Sequence, residues 1–380
     1  MDWFTNPKLG EAKRLIPSLA DAAKRSHAAQ DLIRLGVDAV PALMDALQTQ
    51  DLGLVAIYQQ ILARIPSASP ELQKALRSAH PLIRGRAAEV FAINRDKNAV
   101  PVLIEALHGE FFTVRSRAAL ALANIGDDRA IPELLPLLKD REDEVRIAAC
   151  VALGKFKDPS TFDELANVAL DDQKIEARQA AVKALGDSLN PAAIPFLMEA
   201  LRDSFWWFER EQAVNVLLNA VEGMGEPVVE PLIEALADRE KTVRKFAIVI
   251  LGKLRDIRAI EELGMALYDL HHEVSQAAAE SLAQFGEEGL GVLSEALSHP
   301  EAGVRERAIY GLGMIRDERV VPLLIEMLRD PDRVVRKQAI QSLGDMRDKR
   351  AVPVLQELAA DRADRELASL AKEAVARLQG

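Results

Sequence analysis

Cysteine, aromatic side chains and long apolar runs are all scarce in this chain of 380 residues. The one cysteine, Cys150, excludes an intrachain disulfide framework. It sits in Ala148-Ala149-Cys150-Val151-Ala152, where a free thiol serves as a small packing residue. No stretch of 18 or more apolar residues occurs, so no membrane-spanning helix is expected. The opening Met1-Asp2-Trp3-Phe4-Thr5-Asn6-Pro7-Lys8 lacks a charged start followed by an apolar run, so no secretory signal is expected and the cytoplasm is the expected location. Gly-x-Ser-x-Gly, Gly-x-x-x-x-Gly-Lys-(Ser/Thr) and Gly-x-Gly-x-x-Gly are missing, as are His-x-x-x-His and Cys-x-x-Cys. No catalytic residue, metal or cofactor is therefore assigned. Aromatics make up only 4%, which suits cores of Ala, Leu, Val and Ile between closely packed helices.

Positive charge is also in short supply, and unevenly so. The net charge is −11. Residues 1–65 hold seven basic and seven acidic side chains, and residues 66–126 hold eight and five, a local +3. The remaining 254 residues hold 33 basic and 47 acidic side chains, a net of −14. Phosphate backbones and anionic membranes are repelled by such a surface over most of its length, which disfavours both as partners.

What the chain has in abundance is periodicity. Ile83-Arg84, Val114-Arg115, Val145-Arg146, Ala177-Arg178, Phe208-Arg210 with a one-residue slip, Val243-Arg244, Val304-Arg305 and Val335-Arg336 return about every 31 residues, with Ser275 in place of one arginine. A fixed period of that size signals stacked units. In residues 127–157, Ile131, Leu134, Leu135 and Leu138 fall at i, i+3, i+4, i+7, and Val145, Ala149, Ala152, Leu153 and Phe156 mark a second helical face. Asp127 or Asp128 can cap the first helix, and Pro132 fits its first turn. Each unit reads as two antiparallel helices, A then B. The prediction is an all-α solenoid of about twelve two-helix repeats in one curved, right-handed superhelical domain spanning 1–380. Residues 6–65 form divergent N-terminal capping repeats, 67–347 the regular repeats and 348–380 the C-terminal cap.

The motifs Asp-x-Arg-Ala-(Ile/Val)-Pro-x-Leu and Val-Arg-x-x-Ala-x-x-Ala-Leu-Gly resemble the HEAT-repeat superfamily, and specifically the phycobilisome-lyase type of HEAT-like repeat, over roughly residues 67–378. The resemblance implies a ladder between the recurrent arginine and acidic turn residues of adjacent units. Arg115, Arg146, Arg178, Arg244, Arg305 and Arg336 match its basic side, and Asp140, Asp171, Asp203, Asp238 and Asp330 its acidic side.

Two surfaces stand out against this frame. The A–B turns, polar elsewhere, carry Phe111-Phe112 in repeat four, Phe205-Trp206-Trp207-Phe208 in repeat seven, and Tyr268, His271 and His272 in repeat nine. These aromatics either tuck into the inter-repeat core or stand out as anchors for a partner. The positions two and five residues beyond the arginine should face outward on helix B, the side usually concave in HEAT proteins. Arg86, Arg117, Leu120, Val151, Phe246, Val249 and Tyr310 give that column an apolar and arginine-containing character suited to a protein groove. The leading expectation is a non-enzymatic scaffold that binds another protein through Phe111, Phe112, Trp206, Trp207, Tyr268 and this column. The first alternative, implied by the resemblance, is a bilin lyase or phycobiliprotein chaperone. The second is a HEAT-like DNA glycosylase type of nucleic-acid enzyme, which the acidity disfavours.

Overall fold

The computed structural model describes residues 7–208, 211–361 and 363–379. Among these, all regular structure is helical, and the fold is the expected α-solenoid of paired antiparallel helices. The chain divides into two compact units, residues 1–200 and 201–380. Within each, an A helix packs on its own B helix, and successive B helices pack side by side.

In the first unit, the fifth repeat shows how the sequence sets the local structure. The Asp127 side chain accepts the Arg129 N–H at 3.2 Å and opens a 3-10 turn over Asp128–Ala130. Helix A follows with Pro132 in its first turn, where a missing N–H costs nothing. It is not one continuous α-helix. Pro136 has no N–H to donate four residues back, so the Ile131–Leu134 segment gives way to 3-10 turns over Leu135–Lys139. Helix B, Asp143–Phe156, buries Val145, Ala149, Ala152 and Leu153. Its first turn carries Asp143 and Glu144 against the positive end of the helix dipole. Asp96, Asp158 and Asn190 open their A helices in the same way as Asp127, as do Asp256 and Asp348 in the second unit.

The Leu-Gly ends of the B helices have a steric reason. A Cβ on Gly154 would lie 2.7 Å from the Ala184 Cβ on the next B helix, and one on Gly344 in the second unit 2.9 Å from the Ala374 Cβ. Glycine meets alanine here because no larger pair fits the spacing of the stack. Cys150 belongs to the same helix-to-helix interior: it is fully buried, and desolvation pushes its thiol up to about 12.

Paired charges join consecutive repeats within each unit. Arg115 Nε and Nη2 each donate to the Asp140 carboxylate at 2.8 Å, one repeat on. Arg146 does the same to Asp172 at 2.6 and 2.9 Å. In the second unit, Arg244 pairs with Asp269 at 2.6 and 3.1 Å, and Arg305 with Asp330 at 2.7 and 2.8 Å. The third guanidinium nitrogen of each arginine reaches the carbonyls of its own A–B turn, as in Arg146 Nη1 to the Asp140 carbonyl at 2.9 Å. Each aspartate also closes the next turn by accepting the N–H two residues on. The acidic set expected from sequence needs two corrections. Asp172, not the exposed Asp171, pairs with Arg146, because Asp172 holds the turn through the Lys174 N–H at 2.8 Å. Asp269 joins the ladder as the partner of Arg244, while the Asp238 carboxylate pairs with Arg202 at 2.9 Å.

Candidate partner-binding surface

The expected surface residues separate into three groups by what their side chains touch. Some are structural. Trp206 is fully buried and is among the largest side chains in the core, so it is no surface anchor. The short helix Phe205–Phe208 turns it inward, and the Asp203 carboxylate fixes the start of that turn by accepting the Phe205 N–H at 3.0 Å. The side chain of Trp207 lies outside the described ones. Arg86 is also a correction. It is 5% exposed, and its Nη1 donates to the Thr49 carbonyl at 2.9 Å, in the turn that follows an earlier A helix. Burial, then the neighbouring Arg117, lowers its guanidinium pKa. Arg307 repeats the arrangement in the second unit, with Nε to the Leu267 carbonyl at 3.2 Å. The apolar column therefore interleaves arginines that serve the backbone rather than a partner.

A second group is partly engaged. Arg117 pairs with Glu89 at 2.9 Å, and Gln59 also donates to that carboxylate. Tyr310 donates to Glu280 Oε1 at 2.9 Å, and Gln276 Nε2 donates to the same oxygen at 2.9 Å. Burial and the Glu280 carboxylate both push the phenol pKa of Tyr310 up. Phe111 lies under the Arg84 guanidinium, 5.0 Å from ring centroid to Cζ. This contact stands in for a missing ladder pair, because repeat four has Gly109 where later repeats have the aspartate.

The third group reaches the surface, whatever else its side chains touch. Val151 is 40% exposed on the Asp143–Phe156 helix, and the adjacent Phe112–Ile125 helix presents the half-exposed Leu120 on the same B-helix face. Phe111 and Phe112 are exposed at the turn that begins the latter helix. In the second unit, the Lys241–Leu254 helix presents the half-buried Phe246 and Val249, and Ala302–Met314 presents Tyr310. Tyr268 is exposed beside the His299 ring, with centroids 4.7 Å apart.

Met265 and Leu270 are among the exposed apolar residues that escaped the sequence reading. The repeat register holds the signal that could have found them. Met265 stands where Glu105, Glu234 and Glu326 stand, ten residues before the ladder position, and Leu270 where Arg141 and Arg239 stand.

The comparisons with known proteins agree with this architecture. The family model for HEAT repeats matches residues 69–146, 131–218, 229–290 and 290–376. No curated protein matches the sequence. The crystal structure of Kap121p bound to Pho4p is similar at 14% identity, with a TM-score of 0.59, covering 100% of this chain and 50% of that one. Kap121p bound to Ste12p is similar at 14% identity and a TM-score of 0.58, with the same coverage. This chain thus spans about half the length of those proteins, and the likeness is one of fold. The complex of CpcE and CpcF of phycocyanin lyase from Nostoc sp. is 23% identical over 60% of this chain and 93% of that one, with a TM-score of only 0.36.

Proposed function

We propose that this chain, which belongs to the HEAT-repeat family, is a protein-binding scaffold that engages its partner through the apolar part of its B-helix face. The observation that carries the reading is Val151. It sits exposed in mid-helix beside the half-exposed Leu120, at positions where a solvated face would carry Lys or Glu. Phe111 and Phe112 extend the apolar character of the first unit at the neighbouring turn edge. In the second unit, the half-buried Phe246, Val249 and Tyr310 supply apolar surface on two B helices. Stacked helices offer such a surface without a catalytic centre, and apolar side chains ringed by polar neighbours are what binding hot spots require. Solved structures of Kap121p hold protein partners, which agrees with this use of the fold.

The test begins with proteins that the full chain captures from its host and that a Leu120→Glu/Val151→Glu variant fails to capture. Each is then purified and titrated. A hot-spot anchor contributes about 2 kcal/mol, so Phe246→Ala and the double variant should each weaken binding roughly thirtyfold with helicity intact. Wild-type affinity in both variants would move the binding surface off the B-helix face.

A further inference from the structure

The ninth and tenth repeats, both inside the second unit, depart from the repeat pattern at one place and in one direction. Between their A helices, Ile260–Ala266 and Glu287–Ala296, lies an open cleft of about 530 Å³. That volume falls in the range of about 300–1,000 Å³ usual for binding clefts. Gly264 stands where other repeats carry Ile104, Leu135, Ile233 and Ile325, so a bulky side chain is missing from the cleft. Met265 replaces a glutamate, Tyr268 stands where Arg77 and Arg329 stand, and Leu270 replaces an arginine. All three new side chains are exposed, at 60%, 41% and 98%. Folding does not call for them, because several sister repeats stack with charged residues at the same positions, as with Glu105, Glu234 and Glu326, Arg77 and Arg329, and Arg141 and Arg239.

The ion-pair ladder is missing at this junction on both sides at once. Ser275 replaces the arginine, and His299 stands at the position of Asp140, Asp269 and Asp330. Ser275 turns back on its own helix start, 3.2 Å from the His272 carbonyl, while His299 packs against Tyr268. Loss of one partner alone would strand a buried charge. The joint replacement removes the pair cleanly and leaves the edge of the cleft to Tyr268 and His299.

Electrostatics say what would fill it. Residues 257–303 carry one basic side chain, Arg258, against nine acidic ones. Arg258 is occupied by Asp256, Glu226 and Glu230. Glu261 and Glu295 line the cleft and make no ion pair among the described residues. An apolar cleft rimmed by unpaired carboxylates complements a cationic amphipathic segment.

We propose that the A-helix cleft of repeats nine and ten is a docking site for a protein segment with one or two bulky apolar side chains flanked by Lys or Arg. The site lies on the A helices, apart from the B-helix face proposed above, and stands or falls separately from it. The probe is a fluorescein-labelled synthetic peptide with Leu, Leu and Trp at i, i+3 and i+4 between lysine pairs, titrated against the full chain by anisotropy. Two control peptides replace the lysines by glutamate or the three apolar residues by alanine. The parent peptide should bind at least tenfold more tightly than either control. Tyr268→Arg, at the cleft edge, restores the residue of Arg77 and Arg329 and should weaken parent binding at least tenfold at unchanged helicity. Met265→Glu adds acidity while removing apolar surface, and it should weaken binding too. Val151→Glu, on a B helix of the first unit, should leave it unchanged. The proposal is overturned if the parent peptide does not bind, if a control peptide binds equally well, if Met265→Glu binds as tightly as wild type, or if Val151→Glu weakens binding as much as the cleft variants.

Discussion

Removing the Arg146 side chain tests whether the ladder holds repeats together. Its side chain is 16% exposed and that of its partner Asp172 is 5% exposed, so the pair is largely shielded from water. Truncation to alanine removes the two bonds to Asp172 at 2.6 and 2.9 Å and the bond to the Asp140 carbonyl at 2.9 Å. The Asp172 carboxylate is left with the Lys174 N–H and no charged partner in hydrogen-bond reach. Breaking a buried pair by removing one side costs about 3–5 kcal/mol, and residual water access brings the expected loss to about 2–3 kcal/mol. The assay is urea unfolding of Arg146→Ala, Asp172→Ala and the double variant. The double variant should lose less than the sum of the singles, with a coupling of about 1–2 kcal/mol. The pH dependence fixes the sign. Burial acts to raise the Asp172 pKa, but the Arg146 hydrogen bonds and the Lys174 N–H outweigh it and hold the carboxyl below its ordinary value. Its contribution is therefore present above the unfolded value of about 3.9 and is lost as pH falls through the folded value. The gap between wild type and Arg146→Ala should narrow below about pH 4. A coupling near zero, or a gap that does not narrow at low pH, would show that the Arg146–Asp172 ion pair does not hold the repeats together.

Two further outcomes follow from the packing. Gly154→Ala should destabilise the first unit by about 1–3 kcal/mol, because its Cβ would meet the Ala184 Cβ at 2.7 Å. Gly126→Ala has open space, and its cost of about 1 kcal/mol comes only from the left-handed backbone at φ 69°, so denaturation midpoints of the pair separate collision from conformation. The Cys150 thiol, pushed up to about 12 by burial, should resist a colorimetric disulfide reagent at pH 8 in the folded chain and react on addition of urea. Rapid labelling of the folded chain would contradict its place between the B helices.

The helix pairs and their stacking were legible in the sequence because a repeat states the same local rule many times over. An aspartate cap, a first-turn proline and apolar residues at i, i+3, i+4, i+7 are short-range features, and recurrence every 31 residues or so averages out the noise of any one copy. The same recurrence held the signal for Met265 and Leu270, which only a position-by-position comparison of repeats exposes. The fate of individual side chains was not legible. Trp206 and the exposed Phe112 sit in equivalent turn regions, yet one is in the core and the other faces solvent. Arg86 falls on an outward position by periodicity, but its length carries the guanidinium back to the Thr49 carbonyl, 37 residues away. Asp171 and Asp172 are indistinguishable by composition, and the choice between them depends on which one holds the next turn. Sequence determined the local helical pattern because its forces act within a few residues along the chain. Tertiary structure alone decided which side chains are spent on neighbouring repeats and which remain for a partner, because those contacts join residues some 25 to 40 positions apart, and long side chains reach past the face that periodicity assigns them.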